Sequence, residues 1–355
     1  MKNSYSVTVI VPMYNAEKYI NQCLQSLVDQ TFQDFEVIVV DDCSTDNSVA
    51  EVKKFIPHFK ERLQIKSLKK NTGGSAIPKN TALKTARGKY VTFLDSDDFF
   101  SKTALEETVK IAEETNAEVL HSAFYFTFVD GKNNFSKATF QRICYVDKPT
   151  LEPFDIADRV QKFTERGFLW WGCNKLFLRD FLIKNKIIFP SINVWEDLVF
   201  AFQCIVLSKK YVRVPNIYYY YRNRPDSLSH VPKDGFDISR NLIKVVSYLD
   251  EFMRNIEFFQ KNPNVRYKIL DWHIQGRMNI ISNALYNISE LNPPQVDILF
   301  RQKFANELPK EHSAFMSYFF TMANYQRFYI KQLVEERAQL QQKIAELQGQ
   351  LLQNH

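Results

Sequence analysis

Val91-Thr92-Phe93-Leu94-Asp95-Ser96-Asp97-Asp98 is a short apolar run that ends in three carboxylates within four residues. The run reads as a strand buried among its neighbours, so the acids fall at its C-terminal end. Carboxylates at such an edge can hold a hard divalent cation, and the cation can in turn hold a diphosphate. A second apolar strand runs into Val39-Val40-Asp41-Asp42-Cys43-Ser44-Thr45-Asp46. Asp and Ser also suit turns and helix N-caps, which would explain one acidic turn taken alone. Two such strand ends, with Gly73-Gly74 between them, favour a pocket for a metal and a nucleotide.

Outward from these turns, residues 7 to about 120 alternate β-branched runs with amphipathic helical patterns, the signature of βαβ units on a largely parallel sheet. Strands are predicted at 7–11, 35–40, 63–68, 90–94 and 118–120, and helices at 16–29, 46–55, 78–86 and 102–114. Asp46 and Ser101 suit N-caps, and Pro78 suits a first helical position. Open sheets bind ligands beyond the C-terminal ends of their strands, where Pro12-Met13-Tyr14-Asn15 also falls.

From 124 to about 224 the pattern is mixed. Strands are expected at 124–128 and 217–221, and helices at 154–165 and 198–208. Beyond Pro232 the chain reads as helical near 238–259, 265–289, 294–304 and 314–329, with Asn-Pro and Pro-Pro breaks between. The last thirty residues carry a heptad, with Ile330, Arg337, Ile344 and Leu351 at one core position and Leu333, Leu340 and Leu347 at the other. Ile with Leu at these positions favours a parallel dimer, and Arg337 can fix its register. A single amphipathic helix folded back on its own domain is the other reading. The expected organisation is a nucleotide-binding α/β domain over 1–230, a helical accessory domain over 231–325 and an oligomerising coiled coil over 326–355.

The 355 residues, 45% of them hydrophobic, suffice for a substantial core. Lys and Arg number 46 against 40 Asp and Glu, a spread-out excess of six that fits phosphorylated ligands or an anionic membrane surface without indicating nucleic acid. Aromatic and basic residues between 315 and 331, Tyr318, Phe319, Arg327 and Lys331 among them, suit peripheral membrane contact or core packing equally. Five cysteines without CxxC spacing point to a reducing compartment and no structural zinc. The N-terminus lacks a signal-peptide pattern and no stretch is long enough to span a bilayer, so a cytoplasmic location is expected.

Four ordered motifs then make a resemblance specific. Val9-Ile10-Val11-Pro12-Met13-Tyr14-Asn15, Cys23-Leu24-Gln25-Ser26-Leu27-Val28-Asp29-Gln30-Thr31, Val40-Asp41-Asp42-Cys43-Ser44-Thr45-Asp46 and Phe93-Leu94-Asp95-Ser96-Asp97-Asp98 closely resemble the family 2 glycosyltransferases with a GT-A fold. The resemblance implies an inverting enzyme that moves a sugar from a nucleotide donor, usually UDP-linked, to an acceptor hydroxyl with metal assistance. Carried over by position, it implies that Pro12, Tyr14 and Asn15 form the first donor loop and that Asp42, with Asp41 nearby, meets the base or ribose. Asp95 and Asp97, with Ser96 between them, match the family's DxD. Asp97 is the first choice as ligand of Mn²⁺ or Mg²⁺ bridging the diphosphate, while Asp98 caps the next helix. Lys79 is expected at the donor's base or phosphates, although the chain has Ile77-Pro78-Lys79-Asn80 where relatives commonly have Ala-Arg-Asn. Cys43 stands where Gly is usual.

Val194-Trp195-Glu196-Asp197 resembles the family's Glu-Asp element, which implies that Asp197 is the general base and that Glu196 orients the site or binds the acceptor. The physical demand agrees, because inversion needs a carboxylate to take the hydroxyl proton as oxygen attacks opposite the leaving group. The same acids at a helix N-terminus are also favoured by its dipole. Trp170-Trp171-Gly172-Cys173-Asn174-Lys175-Leu176-Phe177 resembles the element before the base, with Trp171 as a platform for the sugar; Trp pairs are also ordinary core. Tyr221-Arg222 and Ser227-Leu228-Ser229-His230 match a late loop in which Arg222 or His230 meets diphosphate or metal. No Ser-His-Asp order, GxxxxGK or GxGxxG sits where another nucleotide enzyme would need it. Two other readings are a non-catalytic coiled-coil scaffold with a transferase-like domain, and a sugar nucleotidyltransferase. The latter would need a basic Gly-rich loop where Pro12-Met13-Tyr14-Asn15 stands.

Overall fold

The computed structural model describes residues 4–122, 126–129, 132–137, 146–165, 167–216, 218–224, 235–284 and 332–348, with single helical residues at 298 and 329. Its strands are β1 (Tyr5–Met13), β2 (Phe35–Asp41), β3 (Leu63–Ser67), β4 (Gly88–Phe93), β5 (Phe99–Phe100), β6 (Val119–Ser122), β7 (Phe126–Val129), β8 (Lys132–Lys137), β9 (Thr150–Leu151), β10 (Lys175–Leu178), β11 (Tyr211–Val214) and β12 (Tyr219–Arg222). Its helices are α1 (Ile20–Val28), α2 (Ser48–Lys53), α3 (Ile56–Phe59), α4 (Ala76–Leu83), α5 (Ala104–Thr115), α6 (Ile156–Thr164), α7 (Arg179–Lys184), α8 (Glu196–Leu207), α9 (Gly235–Arg254), α10 (Glu257–Lys261) and α11 (Pro263–Ala284).

The main sheet runs β3-β2-β1-β4-β10-β6-β11-β9, and a smaller one runs β5-β12-β7-β8. The first four strands are mutually parallel. All seven residues of β2 are buried, as expected for a strand covered on both faces. Helix α1 buries Ile20, Cys23, Leu24 and Leu27 at a helical spacing against this layer. Two compact units divide the described chain: 1–231 with 241–274, and 232–240 with 275–355.

The parallel sheet expected from the sequence is interrupted at its centre. β10 enters antiparallel between β4 and β6, pairing Phe177 with both Val91 and Val119. An antiparallel strand begins at the edge where its parallel neighbours end, so the Trp170–Asn174 turn is delivered beside Asp95. Four residues joined to strands more than fifty positions away carry little local signal for such pairing. Helix α8 is apolar nearly all round and buried, and Phe200 stacks on Phe189 at 3.9 Å and meets Phe93 edge-on at 5.9 Å. This aromatic cluster fixes the N-terminus of α8 next to the C-terminal end of β4.

Helix starts shift from their expected places. α2 begins after Asn47, with the Asp46 carboxylate accepting the Ser48 and Glu17 N–H groups at 3.0 and 3.1 Å. α5 begins after Thr103, while the Ser101 N–H donates to Tyr218. α4 begins at Ala76, so Pro78 is its third residue, where a helix has no N–H acceptor to lose. Residues 332–348 are helical, and Leu333, Leu340, Ile344 and Leu347 on this helix are exposed. The expected helix at 294–304 lies outside the described residues apart from 298, and so does 314–328. Heptad positions Ile330 and Leu351 lie outside them too. Among the described residues no helix is long and apolar enough to cross a membrane.

Candidate active site

The ends of β1, β2 and β4, the glycine loop before α4, the Trp170–Asn174 turn and the start of α8 converge on one edge of the sheet. At the first strand end, Pro12 is buried within β1 and Tyr14 is exposed. Asn15 adopts a left-handed φ of 48° and splints two loops: its N–H donates to the Ser44 hydroxyl, and its Oδ1 accepts from the Thr45 N–H. Asp41 accepts from the Ser44 N–H at 3.1 Å, and Asp42 receives both the N–H and the hydroxyl of Thr72. Thr72 supplies two donors, shared between both oxygens, against about four acceptor positions of a carboxylate, so Asp42 retains capacity for a ligand. Cys43 tolerates the usual glycine conformation, with φ 66°.

Gly73 suits its left-handed φ of 79°, and both glycines lie close against Asn193. A Cβ on Gly73 would lie 2.9 Å from the Asn193 amide nitrogen, and one on Gly74 would lie 3.1 Å from its Cα. The glycine loop therefore presses against the segment that leads into Glu196 and Asp197. Ser75 then donates to Glu196 at 2.7 Å.

Lys79, expected at the donor, meets the carboxylates at the start of α8. It is buried, its Nζ donates to Asp197 Oδ1 at 2.9 Å, and Glu196 lies 4.0 Å away. Burial pulls its ammonium down, but Asp197, Asp95 and Glu196 more than reverse this and hold it above the usual lysine range. It also sits over the Phe189 ring at 4.9 Å. Lys79 thus brings a cation to the carboxylates of α8.

Asp197 is gripped on both oxygens, by Lys79 on Oδ1 and by the Gly172 N–H on Oδ2, each at 2.9 Å. Glu196 and Asp197 occupy the first turn of α8, where the helix dipole favours them; a site role and this local preference coincide. Trp195 before them has φ 67°, a strained value for a bulky residue, and is held by its ring against His273 at 5.6 Å. Asn193 donates its N–H to Asn241 at 3.1 Å, so residues of α9 and α11 brace the turn. Burial pushes Glu196 up, and Asp197 adds to this against Lys79 and the Ser75 hydroxyl.

Asp95, Ser96 and Asp97 are half-buried at the end of β4. Burial pushes Asp95 up to about 6; Lys79 opposes this, while Asp97, Asp197 and Glu196 add to it. Negative charge is thus crowded at this edge. Asp97 Oδ2 accepts from Arg224 Nε at 2.7 Å, a residue that sequence reasoning missed although a second arginine two positions past Arg222 was its signal. Arg222 itself is buried beneath the turn: its side chain donates to Asp97 O and Gln22, and lies over Tyr19 at 5.2 Å. Asp98 does not cap a helix. It accepts from the Tyr219 hydroxyl and the Arg222 N–H, tying β12 to the turn, and burial pushes its carboxyl up. Trp171 is half-buried, its ring 6.0 Å from that of Trp170. His230 lies outside the described residues.

Among the described residues, no three His, Cys, Asp or Glu side chains close a metal cage. Two carboxylates completed by phosphate oxygens and water are nevertheless a normal donor set for Mg²⁺ or Mn²⁺, and the crowded charge around Asp95 fits that chemistry. Gly172 gives a direct test of the grip on Asp197. A Cβ there would lie 3.0 Å from Asp197 Oδ1 and 3.3 Å from the Phe189 ring. Gly172→Ala is expected to lower turnover by about 10- to 100-fold through misplacement of the carboxylate, with an unchanged far-ultraviolet spectrum and little change in donor KM.

A parallel half-sheet with acidic strand ends, crossed by one antiparallel strand, is the GT-A arrangement, and comparisons place the chain more closely. The family model described as Glycosyl transferase family 2 matches residues 8–184, and the chain belongs to that family. It is 31% identical over 315 residues to the poly(ribitol-phosphate) beta-N-acetylglucosaminyltransferase TarS of Staphylococcus aureus, covering 83% of this chain and 51% of TarS. It is 32% identical over 237 residues to a poly(ribitol-phosphate) beta-glucosyltransferase of Bacillus spizizenii, covering 65% of this chain and 35% of that protein. The chain therefore spans about half of the first of these relatives and about a third of the second. The crystal structure of S. aureus TarS 1-349 in complex with UDP-GlcNAc shares the fold, with a TM-score of 0.62 at 23% identity over 92% of each chain.

Proposed function

We propose that the chain transfers a sugar with inversion from a UDP-linked donor to an acceptor hydroxyl, with Asp197 as general base. The observation that carries this reading is the two-sided grip on Asp197, by Lys79 and the Gly172 N–H, at the edge where Asp95 and Asp97 end β4. A carboxylate held on both oxygens keeps one orientation while it takes a proton from the attacking hydroxyl. Lys79 offsets the charge of the neighbouring acids. Glu196, tethered by Ser75, orients the acceptor. Asp41, Asp42 and Tyr14 face the nucleoside, and Trp171 offers a surface to the sugar. Asp95 and Asp97 are the residues to hold Mn²⁺ or Mg²⁺, which when bound supplies neutralisation of charge on the departing diphosphate.

The named acceptor of both relatives is poly(ribitol phosphate), and a polyanionic polyol chain is the acceptor class we favour here. The net charge of +6 supports it. A panel of UDP-, GDP- and dTDP-sugars, assayed for binding and slow hydrolysis with Mn²⁺ and with chelator, tests the donor. Metal-dependent selection of one UDP-sugar is expected. Failure of every donor to bind to folded protein would favour the scaffold reading.

The C-terminal heptad is proposed to pair with a second copy. Leu333, Leu340 and Leu347 recur every seven residues on the helix at 332–348 and are 48%, 62% and 51% exposed. Truncation after Arg327 is expected to halve the mass measured by light scattering; an unchanged mass would remove the coil's role.

A further inference from the structure

Lys175 begins β10 and is buried, a costly place for an ammonium. Its Nζ donates to the carbonyl oxygen of Trp171 at 2.5 Å. That carbonyl and the Gly172 N–H belong to one trans peptide, so they point in opposite directions from the same plane. The N–H end donates to Asp197 Oδ2 at 2.9 Å. Lysine, peptide and carboxylate therefore form one line of charge-assisted hydrogen bonds in a water-poor interior. A cation at the oxygen of an amide draws electron density toward itself and makes the N–H a stronger donor. Linked hydrogen bonds polarise one another in this way, most strongly where the local dielectric is low.

We propose that Lys175 is a positioning residue for Asp197 and acts through the Trp171–Gly172 peptide. The inference rests on the reading of Asp197 as the base. Two lysines then hold the two carboxylate oxygens by different routes: Lys79 touches Oδ1 directly, and Lys175 reaches Oδ2 through the polarised amide. Three features of the site agree. A Cβ on Gly172 would come within 3.0 Å of Asp197 Oδ1, so the peptide lies close against the carboxylate. β10 runs antiparallel, which puts Lys175 and the turn before it at the edge of the site rather than at the far end of the sheet. The imidazole of His121, the register partner of Lys175 on β6, is pushed down by burial and by the charges of Lys175 and Arg213, so it adds no second cation beside the lysine. The sequence element Trp170–Phe177 supplies more than an aromatic surface: its lysine and its glycine work as a pair three positions apart.

The test uses the full chain labelled with ¹⁵N-glycine, whose nine glycines give a readable amide spectrum. Gly172→Ala assigns the resonance by its disappearance. The Gly172 amide proton is expected far downfield in the wild type. Lys175→Gln retains a donor but not the charge and should move that proton upfield, while Lys175→Arg should restore it. Hydrolysis of UDP-N-acetylglucosamine or UDP-glucose, whichever is turned over, should fall about 10- to 100-fold in kcat in Lys175→Gln with donor KM unchanged, and Arg should recover it. A Gly172 proton that does not move in Lys175→Gln, or a wild-type kcat in that variant, overturns the proposal. If Lys175→Gln does not fold, the wild-type spectrum decides: a Gly172 amide at an ordinary shift overturns it. Full activity of Asp197→Asn would instead overturn the underlying reading, whatever the Gly172 resonance does.

Discussion

Asp197→Asn is expected to lower acceptor-dependent turnover by about a thousandfold, within the range that removal of a general base costs, and to leave donor KM nearly unchanged. The amide is the same size as the carboxylate and its oxygen can still accept from the Gly172 N–H or from Lys79, each now 2.9 Å from the carboxylate. It cannot take a proton. The buried Lys79 loses one negative neighbour but keeps Glu196 at 4.0 Å and the field of Asp95, so the fold should persist with a melting temperature lowered by a few degrees. Steady-state kinetics with varied donor and acceptor, beside circular dichroism, separate these effects. Wild-type turnover by a folded Asp197→Asn protein would end the assignment. A large rise in donor KM would move Asp197 from acceptor chemistry to donor binding.

Asp97→Ala should remove Mn²⁺-dependent donor binding. Loss of at least about 100-fold in affinity is expected, since even an outer partner of a metal ligand is worth 10- to 100-fold. The substitution also removes the carboxylate that Arg224 meets at 2.7 Å, which lets its charge act on a phosphate instead. Titration calorimetry with Mn²⁺ and with chelator distinguishes the two contributions. Residual binding that no longer depends on metal would identify Arg224 as a second source of positive charge; undiminished metal-dependent binding would remove Asp97 as a ligand. Asp98→Asn is the control. Its buried oxygens serve Tyr219 and the Arg222 N–H, so its loss should appear as stability, by about 1–3 kcal/mol for disturbed buried hydrogen bonds, with the same metal dependence as wild type.

How far the site could be read in advance depended on the range of the interaction. The DxD turn and the Asp41–Asp46 turn were visible because strand periodicity, turn chemistry and the position of acids at strand ends are all local properties. Asp197 was visible because of its Glu-Asp element and its place at a helix start. Lys79 was noticed but assigned to the donor, since nothing within ten residues of it announces the carboxylates of α8. Arg222 was expected at the diphosphate and Arg224 was missed for a related reason: both stand at the end of β12, carry the same charge and lie over Tyr19, and only tertiary contacts turn Arg222 to Gln22 and the Asp97 carbonyl and Arg224 to the Asp97 carboxylate.

Sequence alone determined the alternating α/β pattern, the acidic ends of β2 and β4, the need for glycine at 73 and 74 as a class of close approach, and the heptad spacing near the C-terminus. Each follows from hydrophobic period, backbone sterics or the preference of a residue type for a turn. Tertiary structure decided that β10 enters antiparallel between β4 and β6, that Phe93, Phe189 and Phe200 bring α8 to the strand ends, and that Lys79 and Gly172 meet on Asp197. The two contacts on Asp197 join residues 25 and 118 positions apart. Their energy depends on burial and distance once the chain has closed on itself, and no local pattern of residues carries that information.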